Sequence, residues 1–187
     1  MGSKMILEPL ALSDAFIIIQ ELTYDNRGAF GRLFCKNELK PITKNFEIVQ
    51  INHSFNKKIG ALRGMHFQQQ PKAEIKMVKC IKGSVYDVIV DIRKGSSTFL
   101  EWTGVKLSEN NKKMIYIPKG FAHGFQVLEP DTQLLYLHSE YYFKNFEGAL
   151  RFNDPRIGIN WPLPISDISE RDLSHPLLDK DFKGIKI

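Results

Sequence analysis

Long apolar runs are missing from this 187-residue chain. A bilayer-spanning helix needs about 20 consecutive apolar residues, yet the densest early stretch, Phe16–Ile19, is bracketed by Asp14 and Glu21. Neither an apolar run nor a small-residue cleavage site follows Met1–Lys4, so no secretory signal is expected. Those residues fit an appended remnant ahead of a start at Met5. Cysteine is scarce: Cys35 and Cys80 permit one disulfide and require none. Without a secretory signal, two free buried thiols in a reducing cytoplasm are expected. Charge of one sign does not cluster either. The net charge is +5, from 26 Lys and Arg against 21 Asp and Glu, and Lys79, Lys82, Arg93 and Lys94 are scattered among acids. A nucleic-acid binder would show a continuous basic face, whereas a local site for a small anion fits this arithmetic. Repeats, low-complexity segments and linkers are absent. With 43% hydrophobic and 25% charged residues, the chain reads as a single globular domain over 1–187.

Helical periodicity is also sparse, and strand signals dominate from about residue 46 to 142. Strands are expected at Phe46–Asn52, Ala61–Gln68, Ile75–Ile81, Val85–Ile92, Phe99–Leu107, Lys113–Ile117, Ala122–Val127 and Gln133–Ser139. Lys82-Gly83-Ser84 reads as a hairpin turn, and Pro118-Lys-Gly120 as a turn. Short strands at this spacing indicate an all-β antiparallel sandwich or closed barrel. The proline-bearing last third reads as irregular, with one short helix near Asp167–Leu173 capped by Ser166 or Ser169.

Four places carry candidate chemistry. In Arg63-Gly64-Met-His66-Phe-Gln68, strict alternation puts His66 and Gln68 on one face and Arg63 on the other. Both reach one site only if the strand bulges, and Gly64 is the natural place for that. Otherwise His66 is a hydrogen-bonded residue of a barrel wall. In Pro118-Lys-Gly-Phe-Ala-His123-Gly-Phe125, a turn aims His123 into the start of a strand, which resembles the second motif of cupin jelly-roll barrels. Cupins often bind a metal through a His-x-His pair, but here that site reads His66-Phe67-Gln68. Two histidines without a nearby carboxylate make a poor metal site, so no metal is expected. Tyr136 and His138 share a face with Leu134, either as packing or as part of a site. Lys76 alternates with Val78 and Cys80 on an apolar face, where it must meet an anion or snorkel to water.

Taken in order, further segments join these: Asp25-Asn-Arg27-Gly28-Ala-Phe30, Gln50-Ile-Asn52-His53-Ser54, Lys76-Met-Val-Lys79 and Gly83-Ser-Val-Tyr-Asp87 running on to Arg93. Downstream come Tyr141-Tyr142, Glu147-Gly148, Asp154-Pro155, Trp161-Pro162 and Ser169-Glu-Arg-Asp172. The whole series resembles the dTDP-4-dehydrorhamnose 3,5-epimerase family of nucleotide-sugar epimerases. The resemblance implies a cupin-like jelly-roll barrel with short peripheral helices, acting as a cofactor-free homodimer on a nucleoside-diphosphate 4-keto-6-deoxyhexose. By that resemblance His66 is the catalytic base, Asp172 its partner, Tyr136 the acid across the sugar ring and Lys76 the group near the C4 keto oxygen. Arg63 and His123 match sugar or diphosphate contacts, and Arg27, Gln50, Glu147 and Arg171 match outer contacts to nucleotide and phosphate. The chemistry agrees: protons alpha to a ketone are acidic enough for histidine, and an enolate needs a fixed positive charge.

The chain departs from the family pattern at Arg32, where a Glu is usual beside the nucleobase. An acceptor has become a donor, which opens guanine as well as thymine. Leu137-His138 replaces the usual Lys-Thr. Inversion at both C3 and C5, inversion on a GDP-linked 4-keto sugar or heptose, inversion at one centre only, a non-catalytic sugar-binding barrel and a metal-dependent cupin oxygenase are the competing functions.

Overall fold

The computed structural model describes residues 4–43 and 46–187, so Met1–Ser3 of the expected appended remnant lie outside the described residues. In chain order the strands are β1 (Met5–Pro9), β2 (Phe16–Gln20), β3 (Leu22–Asp25), β4 (Gly28–Gly31), β5 (Gln50–Asn56), β6 (Ala61–Gln68) and β7 (Lys76–Lys82). They continue as β8 (Ser84–Asp91), β9 (Trp102–Ser108), β10 (Lys113–Ile117), β11 (Phe121–Val127), β12 (Thr132–His138), β13 (Glu147–Ala149) and β14 (Asp167–Ile168). Two short α-helices, α1 (Lys36–Thr43) and α2 (Glu170–Ser174), complete the fold with a 3-10 turn at Lys144–Phe146.

One sheet runs β1-β2-β10-β7-β12-β5; the other runs β13-β6-β11-β8-β9, with β14 added in parallel to β6. Residues from both sheets, among them Val78, Cys80, Leu134, Ile89, Phe121 and Phe125, form one buried cluster between them. This is the expected cupin-like jelly roll. Both outer faces are covered as well. Met77, Tyr116 and Leu137 pack with Leu39 of α1 and with Phe46. Met65, Val88, Val90 and Ala122 pack with Leu150 and Ile157, and Phe182 and Ile185 add to them. Double coverage explains why β8 and β11 are nearly continuously buried rather than alternating.

Several expectations need correction. Phe46 is core, but it packs outside the sheet, and the strand begins only at Gln50. The strands β1 and β2 enter the first sheet although their segments were not read as strands. α1 went unread because it buries little beyond Leu39 and contains Pro41, which hides its period. The cysteines are free, but only Cys80 is fully buried. Ser169, not Ser166, caps the C-terminal helix by accepting the Asp172 N–H.

The expected bulge lies where Gly64 suggested. His66 pairs with His123 and Arg63 with Phe125, so three steps along β6 face two along β11. Gly64 has φ +128°, and a Cβ there would lie 2.5 Å from the Gly124 Cα. Gly64→Ala should therefore cost about 3 kcal/mol through strain and overpacking. A denaturation midpoint equal to wild type would contradict this close approach.

Candidate active site

A cavity of about 700 Å³ opens between the two sheets. From β6 and β11 it receives Arg63, His66 and His123; from β7 and β12 it receives Lys76, Tyr136 and His138. Arg171 and Asp172 arrive from α2. The bulge turns Arg63 and His66 toward the same space, which alternation alone forbids.

His66 Nε2 lies 2.8 Å from Asp172 Oδ1. The Asp172 side chain is 4% exposed, and its second oxygen accepts the Gly64 N–H at 3.2 Å. Burial pushes the Asp172 carboxyl up, but its bonds to His66 and Gly64 outweigh this and hold it below its ordinary value. A carboxylate held ionised against Nε2 favours the tautomer with the proton on Nε2, leaving the Nδ1 lone pair as acceptor.

His123 forms a second pair, with Nε2 2.9 Å from Asp87 Oδ2 and both groups almost wholly buried. Burial raises the Asp87 carboxyl, partly opposed by His123 and by the Lys76 charge. Asp87 Oδ1 has no hydrogen-bond partner among the described residues. The Tyr136 ring meets His123 edge-on at 6.2 Å. Burial pushes the Tyr136 phenol well above its usual value, against the pull of its hydrogen bond with Ser54. It is therefore a neutral donor at physiological pH. Lys76 does meet an anion: Nζ lies 3.2 Å from Glu74 Oε1.

The remaining predicted residues sit farther out. Gln50 and Glu147 line a smaller neighbouring cavity of about 160 Å³, shared with His66 and Lys76. Glu147 bridges Arg171, at 2.7 Å, and the Tyr142 hydroxyl, at 3.0 Å. Arg63 Nε donates to Asn56 Oδ1 at 2.9 Å. Arg27 and Arg32 do not reach the cavity within this chain. Arg27 belongs to the exposed β3–β4 hairpin and pairs with Asp25 at 2.5 Å, whereas Arg32, just past it, pairs with Glu38.

The expected pairing of His66 with Asp172 is present, and His123 has a carboxylate partner, Asp87, that was not expected. Both carboxylates come from distant segments that no local spacing reveals. Asp87 carried a signal of its own, as an acid inside the apolar run of β8. Glu74 carried none. His66, Asp172 and His175 place three potential metal donors within 4.8 Å of one another. Asp172 Oδ1 is already bonded to His66, however, and the Arg171 Nε sits 3.9 Å from the same oxygen. A cation there would compete with a guanidinium, so the group fits a proton-handling pair better than a metal centre.

A family model described as dTDP-4-dehydrorhamnose 3,5-epimerase matches residues 9–180. The dTDP-4-dehydrorhamnose 3,5-epimerase of Salmonella typhimurium is 42% identical over 178 residues, covering 94% of this chain and 97% of that one. A crystal structure of the dTDP-6-deoxy-D-glucose-3,5-epimerase of Legionella pneumophila, in complex with dTDP-4-keto-L-rhamnose, superposes with a TM-score of 0.89 at 34% identity, over 98% of this chain and 99% of that one. A 3'-monoepimerase from Streptomyces bikiniensis, in complex with dTDP-quinovose, gives 0.85 at 31% identity, over 91% and 86%. With fold, cavity and sequence in agreement over nearly its whole length, the chain belongs to the dTDP-4-dehydrorhamnose 3,5-epimerase family.

Proposed function

We propose that this isomerase inverts C3 and C5 of a dTDP-linked 4-keto-6-deoxyhexose without a cofactor, in deoxysugar and surface-polysaccharide biosynthesis. One observation carries the reading: the His66–Asp172 pair and Tyr136 enter one cavity from opposite sheets, with Lys76 beside them. His66 Nδ1 takes the proton alpha to the C4 ketone, and the charge moves to O4. The Lys76 ammonium stabilises that oxyanion. Tyr136 then delivers its proton to the opposite face of the same carbon, which inverts it; His66 releases the proton it took to solvent and Tyr136 recovers one from solvent, which resets both groups. Repetition at the second alpha carbon completes the reaction.

Arg63, Arg171 and His123 suit the sugar and diphosphate. Glu147 orients Arg171, and Gln50 lies at the outer rim. Arg32 pairs with Glu38 within the chain, and the reading of thymidine as the base rests on the dTDP-named relatives.

The hairpin points to a homodimer. Its Tyr24 and Phe30 are 72% and 78% exposed, and the edge strand β5 exposes Ile51 and Phe55. An unpaired edge with large apolar side chains invites a second copy, and closed two-fold dimers are the commonest assemblies. A partner hairpin would bring its own Arg27 toward the outer site. Among the described residues no helix is long and apolar enough to cross a membrane. Free thiols fit the cytoplasm, where we place the enzyme.

The decisive experiment incubates the enzyme with dTDP- and GDP-linked 4-keto sugars in deuterated water and reads which carbons exchange. Label at C3 and C5 is expected with dTDP; label at C3 alone would indicate the monoepimerase reaction, and none would favour a binding protein. His66→Ala and Asp172→Asn should each lower exchange about 10²–10⁴-fold with the fold intact; near-normal turnover would sink the assignment. In Tyr136→Phe, exchange should persist while inversion falls, because His66 can return a proton to its own face. Equal loss of both would make Tyr136 a binding residue. Light scattering at micromolar concentration should give a dimer; a fully active monomer would refute the assembly.

A further inference from the structure

Position 138 departs from the family run, and His138 lines both cavities. The His138 residue is 9% exposed, on β12 two residues past Tyr136, and the two rings stack at 6.1 Å and 15°. Its Nδ1 lies 2.7 Å from Glu74 Oε2, and its Nε2 lies 3.3 Å from Asn52 Nδ2. The Asn52 amide nitrogen only donates, so Nε2 accepts and the proton sits on Nδ1, given to Glu74. The Glu74 side chain is 8% exposed, and its other oxygen holds Lys76 Nζ at 3.2 Å. Each carboxylate oxygen thus has its own partner.

We infer that His138 is a positioning residue for Lys76, acting through Glu74. The inference rests on the reading of Lys76 as the group beside the keto oxygen. A lysine is a point charge on a flexible stem and its ammonium spins freely. One hydrogen bond to a fixed acceptor stops that rotation and directs the other N–H bonds. Glu74 is such an acceptor only while its own plane is fixed, and the His138 N–H fixes it. Burial pushes the Glu74 carboxyl up, but the His138 hydrogen bond and the Lys76 charge more than offset this, so it stays ionised. Remove His138 and Glu74 keeps one partner and turns about its side-chain bonds, carrying the ammonium off line.

Lys76 acts on charge that develops in the transition state. His138→Ala should therefore lower kcat about tenfold and leave KM nearly unchanged. His138→Gln, whose amide donates to Glu74, should restore most of the loss. Glu74→Gln offers a single acceptor oxygen and cannot serve both partners as an anion, so adding His138→Ala to it should cost no more than about twofold. Independently of turnover, imidazole ¹⁵N shifts of His138 in the wild-type enzyme should report a neutral ring protonated at Nδ1.

Failure has distinct forms. An Nε2-protonated ring, a loss confined to KM, or the same tenfold loss in the Glu74→Gln background would overturn the positioning role while leaving the epimerase reading intact. If His138→Ala fails to fold, His138→Gln with wild-type kcat supports the role, and His138→Gln tenfold down despite a normal melting temperature overturns it. Lys76→Met with undiminished exchange would remove the reading of Lys76 itself, and the inference with it.

Discussion

Gly64 and Gly124 meet across neighbouring strands with no side chain between them, and the layout of the cavity depends on that contact. A Cβ on Gly64 would strike the Gly124 Cα, and one on Gly124 would lie 2.5 Å from the Met65 sulfur. Two bare backbones allow β6 to carry an extra residue while still pairing with β11. The extra residue re-aims Arg63, so that guanidinium and imidazole face the same volume. It also turns the Gly64 N–H toward Asp172. One backbone irregularity therefore supplies a side-chain placement and a hydrogen bond to the dyad's carboxylate.

Around that contact, buried charge is handled in pairs. His66 has Asp172, His123 has Asp87, and Lys76 has Glu74. An isolated ion in such a place would be costly, and each pair gives that charge a partner. The pairing also divides labour by protonation. Asp172 is held ionised, which keeps His66 ready to accept, and Tyr136 is held neutral, which keeps it ready to give. A base and an acid on opposite walls are what inversion at a single carbon requires.

Much of this was legible in the sequence. Both ends of β6 and β10 match the expected strands Ala61–Gln68 and Lys113–Ile117, and the Pro118-Lys-Gly120 turn closes the second of them. The bulge was legible from one glycine between two functional residues. The burial problem of Lys76 was legible too, but not its solution, since Glu74 sits in a connecting segment without period. The N-terminal strands and α1 were missed for the opposite reason: they owe their structure to packing on sheets formed later in the chain, and Pro41 masks the helix. Asp172 entered only through family resemblance. Nothing near it in the chain marks it, and its identity as a partner is a property of the assembled fold.

That last point has a temporal consequence. His66 and Asp172 are 106 residues apart, and the segment carrying Asp172 is anchored by the two-residue parallel pairing of β14 with β6 and by the Ser169 cap. Closing so long a loop adds little entropy cost beyond that of a shorter one, but it can happen only after the chain beyond Asp172 has been made. A nascent chain can therefore complete most of its barrel, with His66 on the wall, while the imidazole still lacks the carboxylate that fixes its tautomer. Within one chain, the His66–Asp172 pair arrives with docking of the C-terminal segment rather than with closure of the barrel.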